Sequence, residues 1–114
     1  MIQYRKPVRI NVPEVLRYTF KDQDNNIIDL TNYATVWLES KLQGQVYSTT
    51  ASTFINPQTS GQVQLLGFVF PTVGTWNIQF YCVDSMGNKL FGEPLQVMVV
   101  PNVENLSLDQ LAVY

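Results

Sequence analysis

The fold is decided by residues 71–94, which read PTVGTWNIQFYCVDSMGNKLFGEP and alternate apolar and polar side chains in their middle part. An alternation with a period of two is typical of a β-strand with one buried face. The side chains on the apolar face are those of Trp76, Ile78, Phe80 and Cys82. The segment DSMGNK supplies turn residues, and Gly92 and Pro94 predict a bulge or an edge position in the returning strand, LFGEPLQVMVV. The stretch therefore predicts two antiparallel strands joined by a hairpin.

Further segments also have the composition of strands, with turn-forming residues between them. They are EVLRYTFKD (14–22), TVWLESKL (35–42), QVYSTTASTFI (45–55) and QVQLLGFVF (62–70), preceded by two short extended pieces within residues 1–12. Helical periodicity is confined to SLDQLAVY at residues 107–114. About seven to eight short strands at this spacing predict an all-β fold, an antiparallel β-sandwich, with a small barrel as the alternative.

The composition favours one domain with an uncharged polar surface. The chain has 114 residues, 46% of them hydrophobic and only 14% charged, where about 25% charged is usual. Little charge repulsion separates copies of such a surface, so we expect a homo-oligomer or another multi-copy assembly. A net charge of -2 argues against nucleic acid as a partner. No run approaches the roughly 20 apolar residues of a membrane helix, so we expect no membrane partner.

The chain offers little for catalysis or metal binding. It contains no histidine and a single cysteine, Cys82, which rules out an intramolecular disulfide and a zinc site made of four protein ligands. Asp22, Asp24 and Asn26 have the alternate spacing of a calcium loop, but Ile27 and Tyr33 occupy its glycine and glutamate positions. We expect a plain turn there, and no catalytic residues, cofactor or metal. The chain is predicted not to be an enzyme.

Three aromatic side chains, Trp37, Tyr47 and Tyr81, are predicted on sheet exteriors. Exposed rings with a polar group favour a protein interface or stacking on a sugar. Ordinary cross-strand pairing on a half-covered sheet accounts for them equally well. They are candidate interface residues.

The C-terminal segment 102–114 is too apolar for a free tail, so we expect it either to cover its own domain or to dock onto a neighbour. We therefore divide the chain into a β-sandwich, residues 1–101, and a docking tail, residues 102–114. The tail residues predicted to contact a partner are Val103, Leu106, Leu108, Leu111 and Tyr114.

Two stretches resemble immunoglobulin-like modules of bacteriophage virions, such as the N-terminal domain of baseplate upper proteins and Ig-like phage decoration proteins. Residues 18–42, YTFKDQDNNIIDLTNYATVWLESKL, resemble the opening hairpin of these modules. Residues 70–100, FPTVGTWNIQFYCVDSMGNKLFGEPLQVMVV, are similar to their closing part. Asn25 and Asn26 stand where the family pattern prefers a glycine, which asparagine can replace because it also reaches left-handed backbone angles.

The resemblance implies an immunoglobulin-like sandwich and a non-enzymatic structural role in a virion assembled in the host cytoplasm. The expected place is the tail or baseplate, as a connector or fibre anchor, and the alternative is decoration of the capsid surface. The expected partners are other virion proteins in a symmetric assembly. A carbohydrate-binding module, with Trp37, Tyr47 and Tyr81 stacking on a glycan, is the alternative from another class.

Overall fold

The computed structural model describes residues 3–4 and 7–101, and this part of the chain forms nine β-strands and one short 3-10 turn. The strands of the first half are β1 (Gln3–Tyr4), β2 (Val8–Arg9), β3 (Glu14–Thr19), β4 (Tyr33–Leu42) and β5 (Gln45–Phe54). After the 3-10 turn Gln58–Ser60 come β6 (Gln62–Phe68), β7 (Gly74–Asp84), β8 (Lys89–Phe91) and β9 (Leu95–Val100). The described residues include no helix long and apolar enough to cross a membrane.

The strands form two sheets that share β5. The large sheet has the order β9-β7-β4-β5, with β8 also paired to β7 and with β1 and β2 paired to β9. The small sheet contains β3 and β6, and it joins the large sheet through Thr53 and Phe54 at the end of β5. Within the described residues no ladder connects β3 to β1, β2 or β9, so the sheets do not close into a barrel. The fold is a β-sandwich, as predicted.

The long strands are antiparallel, as expected, but β1 and β2 run parallel to β9. The expected return strand after the DSMGNK turn is divided into β8 and β9. Both pieces pair with β7, Phe91 opposite Tyr81 and Leu95 opposite Ile78. The interruption at Gly92–Pro94 is where the sequence predicts a bulge or an edge.

The core lies between the sheets and is centred on β7. The predicted inward row is confirmed, since each of its side chains is at most 1% exposed. The members of this row are Trp76, Ile78, Phe80 and Cys82. Burial of large apolar side chains of this kind is worth about 1.5–3 kcal/mol each. The one cysteine is free and buried, so the core holds the sheets together without a disulfide.

The 3-10 turn fixes the loop between β3 and β4. The side-chain amide of Gln58 donates to the carbonyl oxygens of Leu30 at 2.9 Å and of Tyr33 at 3.3 Å. Gly61, directly after the turn, has a φ of 69°, and a Cβ there would lie 2.7 Å from the carbonyl oxygen of Ile28. Only glycine meets both requirements without strain. The loop is therefore held against the end of the sandwich.

Candidate functional site

The outer face of the large sheet carries a row of aromatic side chains that crosses three strands. Trp37 on β4 lies opposite Tyr81 on β7, and Tyr81 lies opposite Phe91 on β8. The rings of Tyr81 and Phe91 have centroids 5.4 Å apart and are tilted by 39°. Trp37 and Tyr81 are half-buried and Phe91 is 54% exposed. We call Trp37, Tyr81 and Phe91 the aromatic row.

The alternation of inward and outward side chains along β4 and along β7 determines where this row lies. Val36 and Leu38 point into the core, so Trp37 between them points out. Phe80 and Cys82 fix Tyr81 in the same way. The positions of Trp37 and Tyr81 on a sheet exterior therefore agree with the prediction.

Polar contacts hold two members of the row in place. The indole N–H of Trp37 donates to the hydroxyl oxygen of Thr35 at 3.2 Å. The Lys89 ammonium nitrogen lies 5.3 Å from the centroid of the Tyr81 ring, within the range of a cation–π contact. The indole group and one face of the phenol ring thus already have partners within the domain.

The surface around the row is polar, and Lys89 is a charged neighbour of the row. Glu39 and Lys41 form an ion pair at 3.5 Å, so their charges offset each other. The side-chain amide of Gln79 donates to the carbonyl oxygen of Gly92 at 2.7 Å. A groove of about 440 Å3 lies beside Trp37, toward Thr53. A central apolar strip within a polar rim is the composition of a protein interface.

Tyr47 differs from the expectation that it lies on a sheet exterior. Its ring packs edge-on against the buried ring of Trp76, with centroids 5.0 Å apart and planes at 75°. The cause is a register shift, since Ser48 pairs with Ser40 and Val46 with Lys41, which leaves Tyr47 as an extra residue. Tyr47 is still 54% exposed, but it contacts the core side of the sheet and does not join the aromatic row.

The predicted tail contacts, Val103, Leu106, Leu108, Leu111 and Tyr114, lie outside the described residues. The sequence prediction missed Phe91, the most exposed member of the row. The sequence feature that could have identified Phe91 is the hairpin turn at DSMGNK, because the strand after such a turn pairs with the strand before it, here β7. Counting back from that turn would have placed Phe91 beside Tyr81.

The described residues contain no group of three or more His, Cys, Asp or Glu side chains that could hold a metal ion. The Asp22 carboxylate accepts hydrogen bonds from the backbone N–H groups of Asp24 and Asn26, each at 2.9 Å. Asp84 accepts from Met86 and Asn88 in the same pattern. These are turns closed by an aspartate side chain, as expected for Asp22.

Cys82 is not placed to act as a nucleophile. Burial raises the pKa of its thiol to about 12. The reactive form is the thiolate, which is almost absent at neutral pH for a thiol with this pKa. The interpretation of Cys82 as a core residue agrees with its complete burial.

No family model and no curated protein sequence matches the chain. Among solved structures, CopC from Methylosinus trichosporium OB3b is similar, with a TM-score of 0.50 and 15% sequence identity over 90% of this chain and 91% of that one. Drosophila OTK, extracellular domains 3–5, matches with a TM-score of 0.40 and 12% identity over 90% of this chain and 34% of that one. With so few identical residues the likeness to CopC concerns the fold alone. The fold is an all-β, immunoglobulin-like sandwich without a disulfide.

Proposed function

We propose that the chain is a non-enzymatic structural protein of a bacteriophage particle and that the outer face of its large sheet binds a neighbouring virion protein. The observation that carries the binding part is the aromatic row, in which Phe91 leaves 54% of its surface exposed. The proposed place is the tail or baseplate, where the domain serves as a connector or fibre anchor. Decoration of the capsid surface is the alternative place.

The virion part of the proposal is supported by the sequence resemblance of residues 18–42 and 70–100 to immunoglobulin-like phage modules. It is also supported by the low charge of the chain, 14% of residues, which suits packing among many copies. The free thiol of Cys82 is compatible with assembly in the reducing host cytoplasm.

The non-enzymatic part is supported by the side chains that could serve as a general base or a nucleophile. The chain has no histidine to act as a general base. Its one thiol is buried within the core, with a pKa raised to about 12. A nucleophile paired with a base is the usual requirement for covalent catalysis, and Cys82 has no such partner among the described residues.

A protein partner fits the row better than a glycan does. Stacking on sugars favours flat, coplanar ring faces, whereas the Tyr81 and Phe91 planes are tilted by 39°. Lys89 lies over the Tyr81 ring, and Phe91 has no hydrogen-bonding group. An apolar strip that includes a phenylalanine matches the core of a protein interface.

The test is incorporation of Phe91→Ala and Trp37→Ala chains into particles, measured by immunoblotting of purified virions. We expect both variants to fold and to be incorporated at least about tenfold less, since interface aromatics often contribute 2 kcal/mol or more. Met86→Ala is the matched control, because Met86 is 85% exposed but lies in the turn after β7, away from the row. Wild-type incorporation of the Phe91→Ala, Trp37→Ala double variant would overturn the proposal.

Two further measurements separate the alternatives. Saturable quenching of tryptophan fluorescence by a polysaccharide, lost in Trp37→Ala, would favour the carbohydrate-binding module. The position of the chain in purified particles, found by immunogold labelling, distinguishes the tail and baseplate from the capsid surface.

A further inference from the structure

Within residues 3–4 and 7–101, the large sheet ends in a strand edge that has no paired strand over most of its length. β4 pairs along one side of β5 from Gln45 to Ser52. On the other side, the described part of the chain offers only β6, which pairs with Thr53 and Phe54. Between Gln45 and Ser52, the backbone groups that point to that side pair with no strand of the described residues, and such an edge is a template for another strand.

This edge lacks the features that protect sheet edges from pairing. Proteins commonly protect an edge with charged side chains, proline, short length or a bulge. β5 reads QVYSTTASTF and contains neither a charged residue nor a proline. Its one irregularity is the extra residue Tyr47, so Ser48–Ser52 keep a continuous register with β4.

The other open strand edges described in the structure are short, charged or irregular. The edge of β6 beyond Gln64, which is also unpaired toward β5 among the described residues, is interrupted by the register shift between Leu65 and Phe68. β3 contains Glu14 and Arg17, follows Pro13 and has a register shift between Glu14 and Leu16. β8 is three residues long and includes Lys89. β2 is two residues long and includes Arg9. The contrast singles out β5 as the edge that is open to pairing.

We infer that residues Ser48–Ser52 of β5 pair antiparallel with the same residues of a second copy of this chain. A two-fold dimer brings each surface against itself, so its interface must be self-complementary. The uncharged edge meets this condition, because no like charges face each other. The nearest charges on the adjoining strand, Glu39 and Lys41, already form an ion pair. The inference goes beyond the proposed function, which uses the outer face of the sheet and a different partner.

The expected dimer is weak. Five paired residues on each side bury less than the roughly 1,200 Å2 of a stable, specific interface. The dimer therefore forms at high concentration, or where many copies are held side by side and their effective concentration is raised. The side chains that flank the pairing, Thr49 and Ala51, are exposed in the single chain.

The test is sedimentation velocity of the full chain between about 10 and about 500 µM, a range chosen for a weak complex. We expect a concentration-dependent dimer in the wild type. Thr49→Lys places one new charge on each copy close to the two-fold axis, and we expect the dissociation constant to rise at least about tenfold. Thr75→Lys is the matched control, because Thr75 is also exposed on the large sheet but lies on β7, between β4 and β9.

Hydrogen–deuterium exchange gives a second readout. Amides of β5 are expected to exchange more slowly at high concentration, and those of the β3 edge to be unaffected. A wild-type chain that stays monomeric up to the highest concentration overturns the inference. Equal weakening of the dimer by Thr49→Lys and Thr75→Lys also overturns it. A dimer in which the β5 amides exchange at the same rate as in the monomer overturns it as well. Phe91→Ala is expected to leave this dimer intact, so the proposed function and the edge pairing can fail separately.

Discussion

The backbone N–H of Glu93 donates a hydrogen bond to the phenolic oxygen of Tyr18, at 2.7 Å, across 75 positions of sequence. The Tyr18 ring packs edge-on against Phe20, with centroids 4.9 Å apart, and is stacked with Phe80 at 6.2 Å. Burial is the main cause that raises the pKa of Tyr18. Because Tyr18 belongs to the small sheet and Glu93 connects β8 to β9, this contact joins the two layers of the sandwich.

Tyr18→Phe is expected to destabilise the protein by about 1 kcal/mol, because the ring stays and the Glu93 N–H loses its acceptor. The measurement is urea unfolding followed by tryptophan fluorescence. Tyr33→Phe is the control, since the Tyr33 hydroxyl has no hydrogen bond within the described residues, and a change below about 0.5 kcal/mol is expected. Equal losses in the two variants would contradict a specific role for the Tyr18 hydroxyl.

Gly92→Ala is expected to destabilise the protein by about 1–3 kcal/mol, because the added methyl group enters occupied space. A Cβ on Gly92 would lie 2.5 Å from Cε2 of the Tyr18 ring. The check is a double-mutant cycle with Tyr18→Ala, which removes the ring. The cost of Gly92→Ala should fall by at least about 1 kcal/mol in the Tyr18→Ala background, and an unchanged cost would show that the ring is not the obstacle.

Cys82 is expected to resist thiol reagents in the folded protein at pH 8 and to react on unfolding. Its pKa is raised from 9.0 to about 12 by burial, so the folded state retains the proton that the unfolded state loses. Stability is therefore expected to decrease as the pH rises from 9 toward 12. Unfolding of wild type and Cys82→Ala at pH 8, 9 and 10 measures this, and the variant should show the shallower decrease. Parallel pH profiles would contradict the linkage.

The sequence was sufficient to predict the central strand and its buried row. Trp76, Ile78 and Phe80 could be assigned to the core because side chains in a strand alternate strictly, and the apolar residues follow that alternation without a break. The same rule placed Trp37 on the outer face. The bulge at Tyr47 could not be predicted, because it depends on how β4 and β5 pair. The β5 sequence is mostly polar, so it has no apolar alternation whose interruption would indicate a shift in register.

The contacts between the two sheets could not be predicted from the sequence, for a different reason. The hydrogen bond from Glu93 to Tyr18 joins two residues that are far apart in the sequence. The local sequence around each predicts a strand or a loop, but it does not predict that the two meet. Nothing local fixes the distance between the two sheets, which follows from the packing of the whole core. The open edge of β5 was equally hidden, because the length of the β5–β6 pairing is a property of the assembled sandwich.

The parallel pairing of β2 with β9 has a mechanical consequence. Val8 lies beside Val99 and Arg9 beside Val100, and the Ile10 N–H donates to the Val100 carbonyl oxygen at 3.0 Å. Tension between the chain entering β2 and the chain leaving β9 pulls these strands past each other along their common axis. The hydrogen bonds between them then share the load simultaneously and do not open one after another. Pulling on the chain before β2 and after β9 is therefore expected to load these hydrogen bonds in shear.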